Sequence, residues 1–581
     1  MGRISESCEA RPRPTWAWPG ATAVAIAAVL GAGLITRMSD AHAAAPSPII
    51  PIAPGHLIHG EGADTRLEVS AVGDVNGDGA DDLFMTHWRE RGTRRANQMT
   101  VALGRAAWPD GIDRDKLDQQ FDLGFPDRNV DQLNDDTFEL EDVRDYDGDG
   151  LADIAIEVNE RSQGETDAVE VRVFKGRANF ASINVQTGRP DFEIRQGSPP
   201  RNPQQEKTNA MPDSVLGGDF DGDGDHDLAV SSCAAGGVRY EEDQVGALRI
   251  YWSESGGPRT VDLKRGPDVA IHGQPGLQLG CFGAEVADLD ADGKDDLVLF
   301  GSALATFGGS HGAVIYGRTE WPASAEVEDL ADLTLNHDAA DGGLRIVDLV
   351  HANGDARPDI LAEFGAVRTV EGECLWYTPA ARATGRRATD SCDVRFTGLP
   401  ADHFLDLDAD GNPDLIHHAR RPQGQSTPFA WRVYFGPLAR TAIFLNGLPD
   451  DGDATVTQPY GTGHPPDWRF GDVNGDDKID LMQSILQAPA PDGAENAGSV
   501  AIHLGPLVDR AALPTAAAPS PSPSPTTAST PATAVPTATA SGATTPEPTS
   551  ATPAVPAPTA TGHDGGPTSR LYLPVGKTGR P

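Results

Sequence analysis

Six stretches of the chain set carboxylates or amides at alternate positions 1, 3 and 5, then a carboxylate at position 9. They are GDVNGDGADDL from Gly73, RDYDGDGLADI from Arg144, GDFDGDGDHDL from Gly218, ADLDADGKDDL from Ala287, LDLDADGNPDL from Leu405 and GDVNGDDKIDL from Gly471. Oxygen donors at this spacing, with a backbone carbonyl at position 7, wrap a hard cation of the calcium kind, which takes six to eight oxygens. Glycine at position 6 permits the turn that folds the loop back on the ion. Left without a cation, so many close carboxylates raise one another's pKa and strain the turn.

Three other cation modules share this core. An EF-hand needs a bidentate Glu at position 12 and flanking helices. Here position 12 is Met85, Ile156, Val230, Leu299, His417 or Gln483, and strand-like runs follow. Dockerin modules place two loops close together, and thrombospondin-type arrays pack theirs more densely than this chain does. A solvated acidic turn holding no metal is the remaining alternative.

The elements that must position these loops repeat with them. A seventh, degenerate copy, VHANGDARPDILA, begins at Val350, and the first loop positions (74, 145, 219, 288, 351, 406 and 472) are 71, 74, 69, 63, 55 and 66 residues apart. A short apolar segment precedes each loop (FELEDV, 138–143) and a strand-like run follows it (DIAIEV, DLAVSS, DLVLF). Most units then carry an alternating run ending in Gly: MTVALG (99–104), VEVRVFKG (169–176), GAVIYG (312–317), WRVYFG (431–436) and GSVAIHLG (498–505). Period-two alternation bounded by Gly and Pro is a β signal. With a weaker fourth strand, read at TVDLK (260–264) and TAIFL (441–445), each unit has about four strands. Four-stranded sheets repeated radially are propeller blades. The expected fold is therefore all-β: a seven-bladed propeller over residues 55–510, closed by the segment before His56 or the one after Gly505.

Composition limits partners and compartment. With 86 acidic against 46 basic residues the net charge is −40, which excludes nucleic acid and favours cations. Arg3, Arg11 and Arg13, the apolar stretch 16–35 and the A-x-A site at Ala41-His42-Ala43 read as a secretory signal peptide, residues 1–43. An uncleaved membrane anchor is the alternative, and the only membrane contact expected. Residues 44–54 make a short segment ahead of the propeller. Export permits two disulfides among the four remaining cysteines: Cys374 with Cys392, and Cys233 with Cys281. Buried thiols are the other possibility. Residues 511–566 are almost wholly Pro, Thr, Ser and Ala, which cannot form a core and should make an extended spacer. The tail SRLYLPVGKTGRP within 567–581 is a candidate sorting signal or a plain end.

Unit four, FGAEVADLDADGKDDLVLFG (282–301), joins a Phe-Gly pair, an acidic loop and the following strand. In this the chain resembles the FG-GAP repeats of the integrin α-chain head and the bacterial VCBS/FG-GAP proteins, over about 450 residues. The resemblance implies a seven-bladed propeller with calcium held between two successive strands of a blade, at about six sites here. Carried over, the ligands are Asp74, Asn76, Asp78, Asp82 and the Ala80 carbonyl in unit one. In unit two they are Asp145, Asp147, Asp149, Asp153 and the Leu151 carbonyl. Unit three supplies Asp219, Asp221, Asp223, Asp227 and the carbonyl of Asp225, whose carboxylate is then dispensable. Unit four supplies Asp288, Asp290, Asp292, Asp296 and the Lys294 carbonyl. Unit six supplies Asp406, Asp408, Asp410, Asp414 and the Asn412 carbonyl. Unit seven supplies Asp472, Asn474, Asp476, Asp480 and the Lys478 carbonyl.

Departures from the pattern fall in three places. The loop His351–Asp359 has His at position 1 and Ala356 in place of Gly, unit seven has Asp477 in place of Gly, and most units lack the Phe-Gly pair. No HExxH, GxSxG or P-loop is present, and no catalytic residue is assigned. His417 and His418 are neighbours on a strand and face opposite sides, so they cannot chelate one metal together. The tryptophans Trp88, Trp108, Trp252, Trp321, Trp376, Trp431 and Trp468 either pack between blades or stack on sugars from a rim. The expected function is an exported, monomeric, calcium-binding module for a protein or glycan ligand. A propeller-based carbohydrate-active enzyme and a passive surface component are the alternatives.

Overall fold

In the computed structural model, the described residues lie between 47 and 510, apart from connecting loops within that span. The expected signal segment, the Pro/Thr/Ser-rich stretch and the C-terminal tail fall outside them. Within this span almost every element is a strand, and helix is limited to single turns such as Val327–Leu330. No described helix is long and apolar enough to cross a membrane.

The strands form seven sheets, each an antiparallel meander of four strands, and together they make a seven-bladed propeller. Blade two is typical: Thr137–Arg144, Asp153–Glu160, Ala168–Phe174 and Phe192–Arg195, from the axis outwards. Second and third strands are buried on both faces, as in Asp480–Ile485 and Ser499–His503, because each blade is covered by a neighbour on either side. The core is divided accordingly. Each of the seven hydrophobic clusters spans one junction between adjacent blades. Val143, Ile154 and Ile156 of blade two, for example, meet Ala71, Phe84 and Val101 of blade one.

Six sheets carry a fifth strand, paired in parallel with the outer strand and donated by the next blade. Arg259–Asp262 adds to Phe192–Arg195, Ser324–Glu326 to Val269–His272, Gly385–Ala388 to Leu333–Asn336 and Ala442–Leu445 to Val394–Gly398. Each donor lies in its own blade's connection between third and outer strands. This corrects the expectation for 260–264 and 441–445. Arg259–Asp262 and Ala442–Leu445 are strands, but they belong to the preceding sheet, and the outer strands of their own blades are Val269–His272 and Ala454–Thr457. Alternation within a segment cannot reveal which sheet edge it joins.

Ring closure uses the N-terminus. His56–His59 pairs antiparallel with Ser499–His503 as the outer strand of blade seven, and Ile49–Pro51 lies parallel on Ala454–Thr457 of blade six. Residues 49–59 therefore replace both pieces that would otherwise follow the last strand of blade seven. The Cys374–Cys392 disulfide is formed within blade five, with Cα atoms 5.4 Å apart. Cys233 lies outside the described residues, and so does its pairing with Cys281.

Candidate metal centres

Every acidic loop joins the inner strand of a blade to its second strand, so all seven open on one end of the propeller. The turn needs two left-handed residues, at positions 4 and 6. Gly148 (φ 78°) and Gly150 (φ 84°) supply them in blade two. Sequence reasoning found position 6 but missed position 4, where blades four and six use Ala291 (φ 58°) and Ala409 (φ 56°). Asp477 adopts φ 59° at position 6 of blade seven.

Within the turn, acids at positions 1, 3 and 5 hold the backbone. Asp145 Oδ1 accepts the Gly148 N–H at 2.6 Å, and its Oδ2 accepts the Gly150 N–H at 2.8 Å. Asp147 accepts from the Asp149 N–H at 3.2 Å, and Asp149 from the Leu151 N–H at 2.9 Å. The same bonds recur in other loops, as in Gly224 to Asp219 and Gly411 to Asp406.

Position 9 opens the second strand and is fully buried in Asp82, Asp153, Asp296, Asp359, Asp414 and Asp480. Asp153 Oδ2 accepts the Tyr146 N–H at 2.9 Å, and Oδ1 accepts the Gly176 N–H at 2.8 Å. Gly176 ends the third strand, and a Cβ there would lie 2.7 Å from the Ala152 carbonyl oxygen and Leu151 Cβ. Close approach of the third strand to the loop thus explains the glycine that closes each alternating run. Burial pushes the position-9 carboxyls up, to about 7 in Asp82, Asp227, Asp296, Asp414 and Asp480 and about 8 in Asp153; the other loop acids add to the rise.

Four loops bring three carboxylates together: Asp145, Asp147 and Asp153; Asp219, Asp221 and Asp227; Asp288, Asp290 and Asp296; Asp406, Asp408 and Asp414, with one oxygen of each within 4.8 Å of the others. These are positions 1, 3 and 9. In blades one and seven position 3 is Asn76 or Asn474, which lowers the charge but keeps an amide oxygen. All-oxygen donor sets of this kind fit a hard divalent cation. Position 5 and the position-7 carbonyls complete the set that the spacing suggests. Basic side chains also reach the loops: Lys175 pairs with Asp147, Arg382 Nη2 lies 3.0 Å from Asp292 Oδ2, and Arg510 Nη1 lies 2.9 Å from Asp410 Oδ2. Arg382 comes from blade five to the loop of blade four.

Blade five differs. Burial lowers the pKa of His351 and favours its neutral form, while Arg357 inside the loop donates to Asp355 Oδ2 at 2.6 Å. An internal guanidinium therefore meets the acids there. Ala356 lies outside the described residues.

Adjacent loops are stitched together. The Asp74 carbonyl accepts the Ala152 N–H at 2.9 Å, and the Val75 carbonyl accepts the Arg177 N–H at 2.7 Å. Trp108 and Trp321 extend this stitching, their Nε1–H groups donating at 3.1 Å to the carbonyls of Val473 and Phe220. Trp376, Trp431 and Trp468 are buried and belong to blade junctions. His417 is buried and stacks on Tyr434 at 6.2 Å between ring centroids.

Residues 219–299, from the loop of blade three to the second strand of blade four, match the FG-GAP-like repeat family. That stretch and the seven-bladed fold fit an FG-GAP-like propeller. No curated protein matches the chain. Among solved structures, the Tc holotoxin pore of Photorhabdus luminescens is similar over 74% of this chain and 17% of that chain, at 13% identity and a TM-score of 0.26. The chain thus spans under a fifth of that protein's length.

The inner strands also assemble a group that sequence reasoning missed. Asp142, Glu285 and Asp348 each stand three residues before position 1, on the inner strands of blades two, four and five. Arg144 is ion-paired with Asp142 and interacts with Glu285 and Asp348. The shared offset from position 1 was the available signal.

Proposed function

We propose that the protein is an exported propeller, stabilised by calcium in its loops, that displays a recognition surface for a protein or glycan ligand. The convergence of positions 1, 3 and 9 in four loops carries this reading. Those carboxylates sit where the inner, second and third strands meet, and neighbouring loops are hydrogen-bonded across blade junctions. A cation there neutralises the acids and ties strand ends, which is a structural task. The third-strand ends are already committed to position 9. Ligand recognition then falls to the opposite end, where each second strand ends and each third strand begins. The 511–566 stretch would hold the propeller away from a surface.

The test joins two measurements on the full chain freed of its signal segment. Native mass spectrometry should find several bound calcium ions, and a glycan array with a parallel pull-down should retain a ligand in calcium but not in chelator. A calcium-free protein with unaltered melting would sink the structural role. Calcium binding without any retained ligand would favour the passive surface component.

A further inference from the structure

We propose that the axial channel of the propeller holds a separate binding site, formed by Asp142, Glu285 and Asp348 around Arg144, for a cationic nitrogen group: an ammonium or a guanidinium. Four observations carry it.

First, the acids share one register position on three inner strands. In blades two and five that position directly follows a β-bulge, between Leu140 and Asp142 and between Ile346 and Asp348. In blade four the register breaks just ahead of it, between Leu279 and Ala284. Bulges re-aim side chains, and they recur beside functional sites.

Second, the group spans the axis. Blade three separates blades two and four, so the interaction of Arg144 with Glu285 runs across the opening between inner strands. Arg144, Glu285 and Asp348 lie deep in the molecule yet keep part of their surface open, as a channel wall requires.

Third, acids outnumber bases at this level. Three carboxyls face one guanidinium, and Asp142 already holds it. Burial raises Glu285 in spite of Arg144, and pushes Asp348 up to about 8 with the help of Glu285. Arg469 and His403 stand at the same offset from position 1 in blades seven and six. Arg469 donates to the carbonyls of Ser70 and Trp468, and His403 packs on Phe470 at 5.2 Å.

Fourth, Asp348 Oδ1 is buried and accepts no hydrogen bond. It asks for a donor that the described residues do not provide.

The donor is not a bare metal ion. Among the described residues, only the four loop groups bring three carboxylate oxygens within 4.8 Å of one another. Acids spread around a channel suit an extended, multi-donor cation. An ammonium offers three N–H donors and a guanidinium five, and bonds between charged partners are the stronger kind. Two sources share this chemistry: a free polyamine, and a Lys or Arg side chain of a bound polypeptide.

Calorimetric titration of the calcium-loaded full chain, at about 0.15 M salt to screen surface charge, tests the site with spermidine in one arm and an arginine-rich peptide in the other. One saturable site is expected, its affinity reduced about tenfold or more in Glu285→Gln and in Asp348→Asn, the scale of one lost charged hydrogen bond. The control Asp390→Asn, at an exposed acid, should leave it unchanged. The arm that saturates identifies the source. Absence of saturable binding in both arms overturns the proposal, and so does equal binding by both channel variants. If Asp348→Asn does not fold, as judged by circular dichroism, Glu285→Gln carries the expectation alone.

Discussion

Asp153 Oδ1 accepts the N–H of Gly176 at 2.8 Å, tying the last loop position of blade two to the end of its third strand. The bond recurs in every blade, as Asp82 with Gly104, Asp227 with Ser253, Asp296 with Gly317, Asp359 with Thr378, Asp414 with Gly436 and Asp480 with Gly505. Blade five keeps it although its position 1 is a histidine. Position 9 is therefore a structural acid first, and a candidate cation ligand second.

Substitution at position 9 separates the two roles. Asp153→Ala leaves two buried N–H groups, of Tyr146 and Gly176, without acceptors and should cost about 2–5 kcal/mol in denaturant unfolding. Asp153→Asn keeps an acceptor oxygen and should cost clearly less in metal-free protein, while losing part of the stabilisation by calcium. Equal losses for both variants would contradict the dual role.

Chelation should lower the melting temperature by several degrees, since a ligand bound only to the folded state stabilises it by mass action. Differential scanning calorimetry with EDTA and with added calcium reads this directly. A melting temperature indifferent to both would remove calcium from the account.

In metal-free protein, stability should fall as pH rises. The position-9 acids have folded-state pKa values raised from 3.8 to about 7 or 8, so the folded state holds protons that the unfolded state has released. Their contribution is full below about pH 4 and is lost as pH climbs through 7. Chelated protein should therefore melt higher at pH 5 than at pH 7.5, and saturating calcium should narrow or reverse the difference. Melting of chelated protein that rises steadily from pH 5 to 7.5 would refute the assignment.

Asp477 is a non-glycine residue at φ 59° whose own carboxylate is not a proposed ligand. Asp477→Gly should relieve roughly 1 kcal/mol of backbone strain and raise the melting temperature without loss of calcium response. A drop in stability would show that the aspartate side chain contributes more than its backbone costs.

Deleting residues 47–59 removes the outer strand of blade seven and the strand laid on blade six. The ring then has an open blade, and its unfolding should lose cooperativity and begin at lower denaturant. Unfolding as sharp as that of the intact chain would show that closure is dispensable.

The architecture was legible because it repeats. Seven loops at near-regular spacing, each followed by a strand, announce blades before any contact is known, and position 9 was singled out by spacing alone. Position 4 was not, because alanine there gives no hint of φ 58°. The segment 260–264 was seen as a strand and assigned to the wrong sheet edge, because period-two alternation reports burial on two faces but not the identity of the partner.

By itself, the sequence determined the blade count, the order of strands around each loop and the donor atoms the loops offer, since all three are local and periodic. Tertiary structure alone decided how blades interlock, that residues 49–59 close the ring, and that Asp142, Arg144, Glu285 and Asp348 meet at the axis. Those relations join residues as much as 440 positions apart, as in His59 with Ser499. No local pattern encodes them, because they arise only when seven twisted sheets pack around a common axis and the first strand finds the last.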